Sequence, residues 1–115
     1  MDPRYSLKKN SDFRRLYSRG KSAVNSCLVV YCRRNNTGTN RLGYTVSAKL
    51  GHAVVRNRVR RRLREVVRLN SGSLKTGWDI IVVARSRAVG SDWEKLNKAF
   101  MDACGKLDLL KGEVS

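Results

Sequence analysis

The chain has 115 residues, of which 41% are hydrophobic, and a formal net charge of +16. That length supports one domain, taken as residues 1–115, and nothing in it approaches the roughly 18 apolar residues of a membrane span or the apolar centre of a signal peptide, so a soluble cytoplasmic protein is expected. The charge is lopsided, with 18 Lys/Arg against 3 Asp/Glu in residues 1–68 and 7 against 6 in residues 69–115, so one surface should be electropositive and bind polyanions in a salt-dependent way.

Residues 1–8 are expected to be poorly ordered, with only Leu7 placed to reach a core. Asn10 or Ser11 can cap a short helix over residues 12–19 that Gly20 ends. Phe13, Leu16 and Tyr17 share one face of it, while Arg14, Arg15 and Arg19 project elsewhere. Periodicity alone makes both aromatics core residues. A short strand is predicted over Lys21–Val24 and a longer one over residues 27–33, with Leu28, Val30 and Cys32 as its apolar face. Residues 34–40 are dense in turn formers and suit a hairpin into a strand over 41–47, where Leu42, Tyr44 and Val46 alternate with polar positions.

A helix is predicted from Ala53 or Val54 to about Asn70, and seven of the thirteen residues from Arg56 to Arg68 are arginine. On a wheel of 100° per residue with Val55 at zero, Val59, Leu63, Val66 and Leu69 fall between about −40° and +80°, and Val67 widens this stripe. Asn57, Arg60, Arg61, Arg64 and Arg68 fall on the opposite side, between about 140° and 240°. Only Glu65 opposes these arginines, so like charges at i, i+4 cost helix stability. A polyanion is the reason to tolerate them, and planar guanidinium groups suit phosphate and bases, which points to nucleic acid.

Residues 79–85 are apolar on both faces and read as an interior strand. Ser91 and Glu94 form a capping box for a last helix, along which Trp93, Leu96, Phe100, Ala103 and Leu107 recur at helical spacing. Residues 108–115 are expected to fray. The fold class is α+β: one sheet with helices against it, which if confined to one face would leave a polar sheet face free.

No protein active site is expected. The nine carboxylates show no dyad or two-metal spacing, no glycine-rich phosphate loop is present, and His52 lies in a connector as a loop or capping residue. The three cysteines, Cys27, Cys32 and Cys104, are read as small apolar residues; within one strand Cys27 and Cys32 would point to opposite faces, which excludes a shared disulfide or metal.

The run Lys49-Leu50-Gly51-His52-Ala53-Val54-Val55-Arg56-Asn57-Arg58-Val59-Arg60-Arg61-Arg62-Leu63-Arg64-Glu65 closely resembles the signature of the bacterial ribonuclease P protein component family. That pattern is Gly, any residue, Ala-Val, any residue, Arg-Asn, two residues, Lys-Arg, two residues, Arg, and the surrounding elements follow family order over residues 5–107. Two positions depart from it: Arg60 replaces the usual Lys, and His52 stands where Asn, Lys or a small residue is common.

The resemblance implies the protein subunit of a ribonucleoprotein endonuclease that removes the 5′ leader of precursor transfer RNA. It implies an α-β-β-β-α-β-α two-layer sandwich whose crossover through the Arg-rich helix is left-handed, a handedness that general rules disfavour. The RNA subunit then carries the chemistry with Mg2+, and no metal site is assigned to the protein. Arg56, Asn57, Arg60, Arg61 and Arg64, together with Arg68 on the same polar face, would meet the catalytic RNA; Arg56 sits at the border of the apolar stripe. Phe13, Tyr17 and Tyr31 would line a cleft for the single-stranded leader, which reverses the reading of Phe13 and Tyr17 as core. The partners implied are the catalytic RNA and the precursor leader, in a 1:1 complex with a protein monomer, without membrane or DNA. Two rival readings are a ribosomal-type RNA-binding module and a helix-turn-helix DNA binder; the second lacks a helix before the Arg-rich one.

Overall fold

The computed structural model describes residues 6, 7 and 9–112. Helix α1 (Asn10–Arg19) precedes strands β1 (Lys21–Val24), β2 (Leu28–Arg34) and β3 (Arg41–Thr45), then helix α2 (Ala53–Asn70), strand β4 (Trp78–Ala84), the single turn α3 (Ser86–Val89) and helix α4 (Trp93–Lys106). The expectations for residues 1–5, 8 and 113–115 lie outside the described residues.

The strands form one sheet in the order β1-β2-β4-β3. β2 is antiparallel to β1 and β4, and β3 runs parallel to β4. Residues 34–40 therefore do not close a hairpin between β2 and β3, because β4 lies between them. The reason is burial: Ile80, Ile81 and Val82 are all fully buried, so β4 needs a strand on each side and cover on each face. The loop is instead sewn to the entry of β4. Asn40 Oδ1 accepts from the Trp78 backbone N–H at 2.9 Å, and the Asn35 N–H donates to the Gly77 carbonyl at 2.9 Å. The hairpin turn is Asn25-Ser26, between β1 and β2; Asn25 Oδ1 accepts there from the N–H groups of Cys27 and Leu28.

Alternation sorts the sheet residues between two clusters. Leu28, Val30, Cys32, Leu42, Ile80 and Val82 pack with Val59, Leu63 and Val66 of α2 and with Leu96, Phe100, Ala103 and Cys104 of α4. Each large side chain so buried contributes about 1.5 to 3 kcal/mol. On the opposite face, Ile81 packs with Leu16 of α1 and Leu7, bordered by Phe13, Tyr31 and Val83. That face is thus not left free, since α1 lies across part of it. Gly20 ends α1 for a steric reason: a Cβ there would stand 2.6 Å from the Leu16 carbonyl oxygen and 2.8 Å from that of Cys32. Capping by Asn10 or Ser11 does not occur; the helix begins at Asn10, with Lys9 at the cap position.

The buried face of α2 is turned from the predicted one. Val59, Leu63, Val66 and Val67 are buried, which spans about 20° to 120° on the same wheel, and Leu69 is 53% exposed. Asn70 turns inward in its place, donating to Val66 O at 2.8 Å and to Asn97 Oδ1 of α4 at 2.6 Å. α4 is capped by Asp92, whose side chain accepts from the Lys95 N–H at 2.9 Å, and not by Ser91, which is buried and donates to the Arg87 carbonyl. The chain after α4 stays attached through residue 112: Leu109 is fully buried, and Leu110 forms a bridge with Leu74. Cys27 precedes β2, shares the larger core with Cys32, and lies 3.5 Å from the Ser91 hydroxyl, so the expected opposition of the two thiols is absent.

One ion pair locks β3 to β4. Arg41 Nε and Nη2 donate to the two carboxylate oxygens of Asp79 at 2.8 and 2.6 Å, and Asn35 Nδ2 adds a bond at 3.0 Å. Asp79 is buried, so loss of Arg41 strands a carboxylate. Arg41→Ala is expected to cost about 3 kcal/mol in urea unfolding; a loss below about 1 kcal/mol would mean that water replaces the guanidinium.

Candidate nucleic-acid interface

α2 crosses the sheet with Asn57, Arg61, Arg64 and Arg68 exposed and Arg60 half-buried. They do not form one uniform row. Arg60 Nη1 donates to Asn57 Oδ1 at 2.9 Å, which holds this guanidinium near the first half of the helix. Arg68, at the other end, grips Glu65 through Nη2 and Nε at 2.6 and 3.2 Å, and these bonds hold the Glu65 carboxyl below its ordinary pKa. Arg56 follows the turned buried face. Its Nε is buried without a hydrogen-bond partner among the described residues, so it differs from the exposed arginines it was grouped with. Arg62 points away from this group and donates to the Ser91 carbonyl at 3.1 Å, tying α2 to the start of α4.

Phe13, Tyr17 and Tyr31, 18 residues apart at the extremes, meet on the other side of the sheet. The rings of Tyr17 and Tyr31 pack edge to face at 4.9 Å, and Phe13 lies 6.4 Å from Tyr17. Tyr17 remains 41% exposed and is held by a 2.9 Å hydrogen bond between its hydroxyl and Thr45 Oγ1 on β3. Phe13 lies against Gly43, where a Cβ would come within 2.8 Å of its ring. The missing side chain lets α1 sit close to β3.

A depression of about 420 Å³ at the β3 edge joins the two groups, lined by Leu7, Phe13, Gly43, Tyr44, Arg60 and Arg64 among others. Phe13 belongs to both the aromatic cluster and this depression. The Arg64 guanidinium lies over the Tyr44 ring at 5.8 Å, a cation–π geometry. Sequence reading placed Tyr44 on the core side of β3 and missed its role here; the available signal was a hydroxyl-bearing ring at an inward position beside a glycine. Stacking rings and guanidinium groups on one continuous surface suit single-stranded RNA, with bases on rings and phosphates on cations.

The family model described as Ribonuclease P matches residues 1–108 of this chain. This chain belongs to the ribonuclease P protein component family. Curated members include those of Alkaliphilus metalliredigens, 41% identical over 96% of this chain and 99% of that protein, and a Thermoanaerobacter species, 46% identical over 92% and 91%. Among solved structures, the RNase P protein of Staphylococcus aureus superposes with a TM-score of 0.85 at 34% identity, covering 93% of this chain and 98% of that one. The Thermotoga maritima RNase P protein gives 0.78 at 32% identity, over 84% and 92%. Ribonuclease P is an endoribonuclease acting on transfer RNA precursors, and this family is its accessory protein subunit, so the chain is the protein subunit of that enzyme and works in transfer RNA processing.

Candidate chemistry outside the interface is sparse. Among the described residues no group of His, Cys, Asp and Glu could hold a metal ion, and no helix is long and apolar enough to cross a membrane. His52 occupies the cap position of α2 but its side chain accepts no capping bond. All three cysteines are free and buried, and burial pushes the Cys32 thiol up to about 11 and the Cys104 thiol up to about 12. The folded protein thus keeps protons that the unfolded chain releases near 9, so the stability these thiols contribute is complete below that pH and declines as pH rises through 9 towards 11 and 12. Native protein at pH 8 is expected to resist alkylation by iodoacetamide at Cys32 and Cys104 while unfolded chain reacts at both; rapid native labelling at either would contradict the buried thiol.

Proposed function

We propose that the Arg-rich face of α2 meets the catalytic RNA and that the cleft between α1 and the sheet holds the 5′ leader of precursor transfer RNA. The observation that carries this reading is that Phe13 belongs both to the ring cluster with Tyr17 and Tyr31 and to the depression that Arg60 and Arg64 line at the β3 edge. A single strand entering the cleft can stack its bases on the rings in any sequence and then pass to cations beside the RNA subunit. Asn57, Arg61 and Arg64 are the exposed contacts to the catalytic RNA, Arg60 serves both partners, and Arg56 and Arg68 are secondary because one is drawn inward and the other is paired with Glu65.

The protein's part in the reaction is positioning. Holding the leader at one end and the catalytic RNA at the other fixes the scissile phosphate relative to the RNA active centre, which lowers the entropic barrier without a protein group touching the reacting atoms. The RNA subunit supplies hydrolysis with Mg2+, and the cations of α2 offset phosphate repulsion that high magnesium would otherwise have to screen. One protein monomer acts per RNA, in the cytoplasm.

The test is cleavage of precursor transfer RNA by a bacterial ribonuclease P RNA at low magnesium, with and without the protein. Stimulation that depends on the protein and on the leader is expected. Phe13→Ala should weaken binding of leader-bearing substrate by about 1 to 3 kcal/mol, on the order of 5- to 150-fold, and leave leaderless RNA unchanged. Tight RNA binding with no stimulation would instead support a plain RNA-binding module, and equal losses on both substrates would sink the cleft assignment.

A further inference from the structure

Tyr44 lines the depression at the β3 edge and packs on its other side against the larger core. Tyr44 Oη is shielded from solvent and has no hydrogen-bond partner among the described residues. An unpaired buried hydroxyl destabilises a fold relative to a phenyl ring in the same place, so its presence calls for a partner that arrives later. The phenol is a hydrogen-bond donor at neutral pH, and burial raises its pKa further above its ordinary value.

The surroundings say what that partner is. The Arg64 guanidinium lies over the Tyr44 ring at 5.8 Å, and Arg60, steadied by Asn57, opens on the same space. Phe13 forms another wall, its ring packed against Gly43 and the cluster of Leu7, Leu16 and Ile81. Two cations, one aromatic wall and one unspent hydroxyl match the parts of a nucleotide: phosphate, base and ribose or phosphate oxygen. The volume of about 420 Å³ lies in the range of small-ligand sites.

We propose that this depression is a one-nucleotide site for single-stranded RNA, in which the base rests against Phe13, the phosphate sits between Arg60 and Arg64, and the Tyr44 hydroxyl donates to the nucleotide as Arg64 turns from the ring to the phosphate. Two RNAs could supply such a nucleotide, and the site takes the one from the leader, because Phe13 also belongs to the aromatic cleft. The inference rests on the leader-cleft reading given above. It adds Tyr44 as a residue that touches substrate, and it makes Arg64 an arginine stored on a ring until RNA arrives.

Tyr44→Phe removes the hydroxyl and keeps the ring. The variant is to be assembled with the catalytic RNA and tested for affinity to leader-bearing and leaderless precursor, with its melting temperature measured as free protein. The expected result is an unchanged or higher melting temperature together with a loss of about two- to tenfold in affinity for leader-bearing substrate alone. Unchanged leader affinity would overturn the site, and a lower melting temperature would show that the hydroxyl already has a partner in the free protein. Equal loss on both substrates, with weaker binding of catalytic RNA alone, would overturn the leader as the source. Phe13→Ala is measured beside it: without a leader-specific loss there, the cleft reading itself fails, whatever Tyr44→Phe does.

Discussion

β4 has to be covered on four sides. Its central residues Ile80, Ile81 and Val82 are fully buried, so β2 and β3 must flank it and side chains must close over both of its faces. Because β3 runs parallel to β4, the chain between them has to return along the sheet, and α2 is that return. The helix buries Val59, Leu63 and Val66 over one face and so turns its arginines outward. Ile81 points to the other face, where Leu16 brings α1 across the sheet and sets Phe13 and Tyr17 beside Tyr31. Both halves of the interface descend from the burial of one strand.

The arrangement separates two kinds of cost. Arginines at i, i+4 on α2 repel one another, and only Glu65 relieves this, at the far end through Arg68. The repulsion is tolerable because α2 is held by its apolar face, by Arg62 bonded to the Ser91 carbonyl and by Asn70 bonded to Asn97. Helix stability thus comes from packing rather than from local sequence, which frees the outer face for charge. In the proposed complex, phosphate neutralisation returns what the bare helix loses. Among the described residues the Tyr44 hydroxyl, Arg56 Nε and Trp93 Nε1 are buried without partners, and the first of these belongs to a residue lining the place where RNA is proposed to bind.

The turn of α2 about its axis changes how its residues are to be ranked. Periodicity centred the apolar stripe near Val55 and Val66, whereas the buried sector centres near Leu63 and Val67. A rotation of about half a residue position accounts together for the exposure of Leu69, the inward turn of Arg56 from the border of the stripe and the bond from Arg62 to the Ser91 carbonyl. It also brings Arg60 and Arg64 over the β3 edge, within reach of Phe13 and Tyr44. A helical wheel cannot supply this angle, because the partners that set it, Asn97 and Ser91, lie 27 and 29 residues away from theirs.

By itself, the sequence determined the elements, the interior character of β4, the polarity of α2 and, through the motif from Gly51 to Arg64, the family. These follow from local periodicity and side-chain chemistry, which are properties of short stretches. Strand order was beyond it: residues 34–40 have the composition of a hairpin, and only competition for the edges of β4 shows that β2 and β3 are parted. The caps of α1 and α4 lie a residue or more from their expected places: α1 starts behind Lys9 with no side-chain cap, and at α4 Asp92 caps because Ser91 turns inward to the Arg87 carbonyl. The attachment of Leu109, the Arg41–Asp79 lock and the depression around Tyr44 likewise required the folded chain. Each is a contact between residues far apart in sequence, and its energy exists only once the sheet has brought them together.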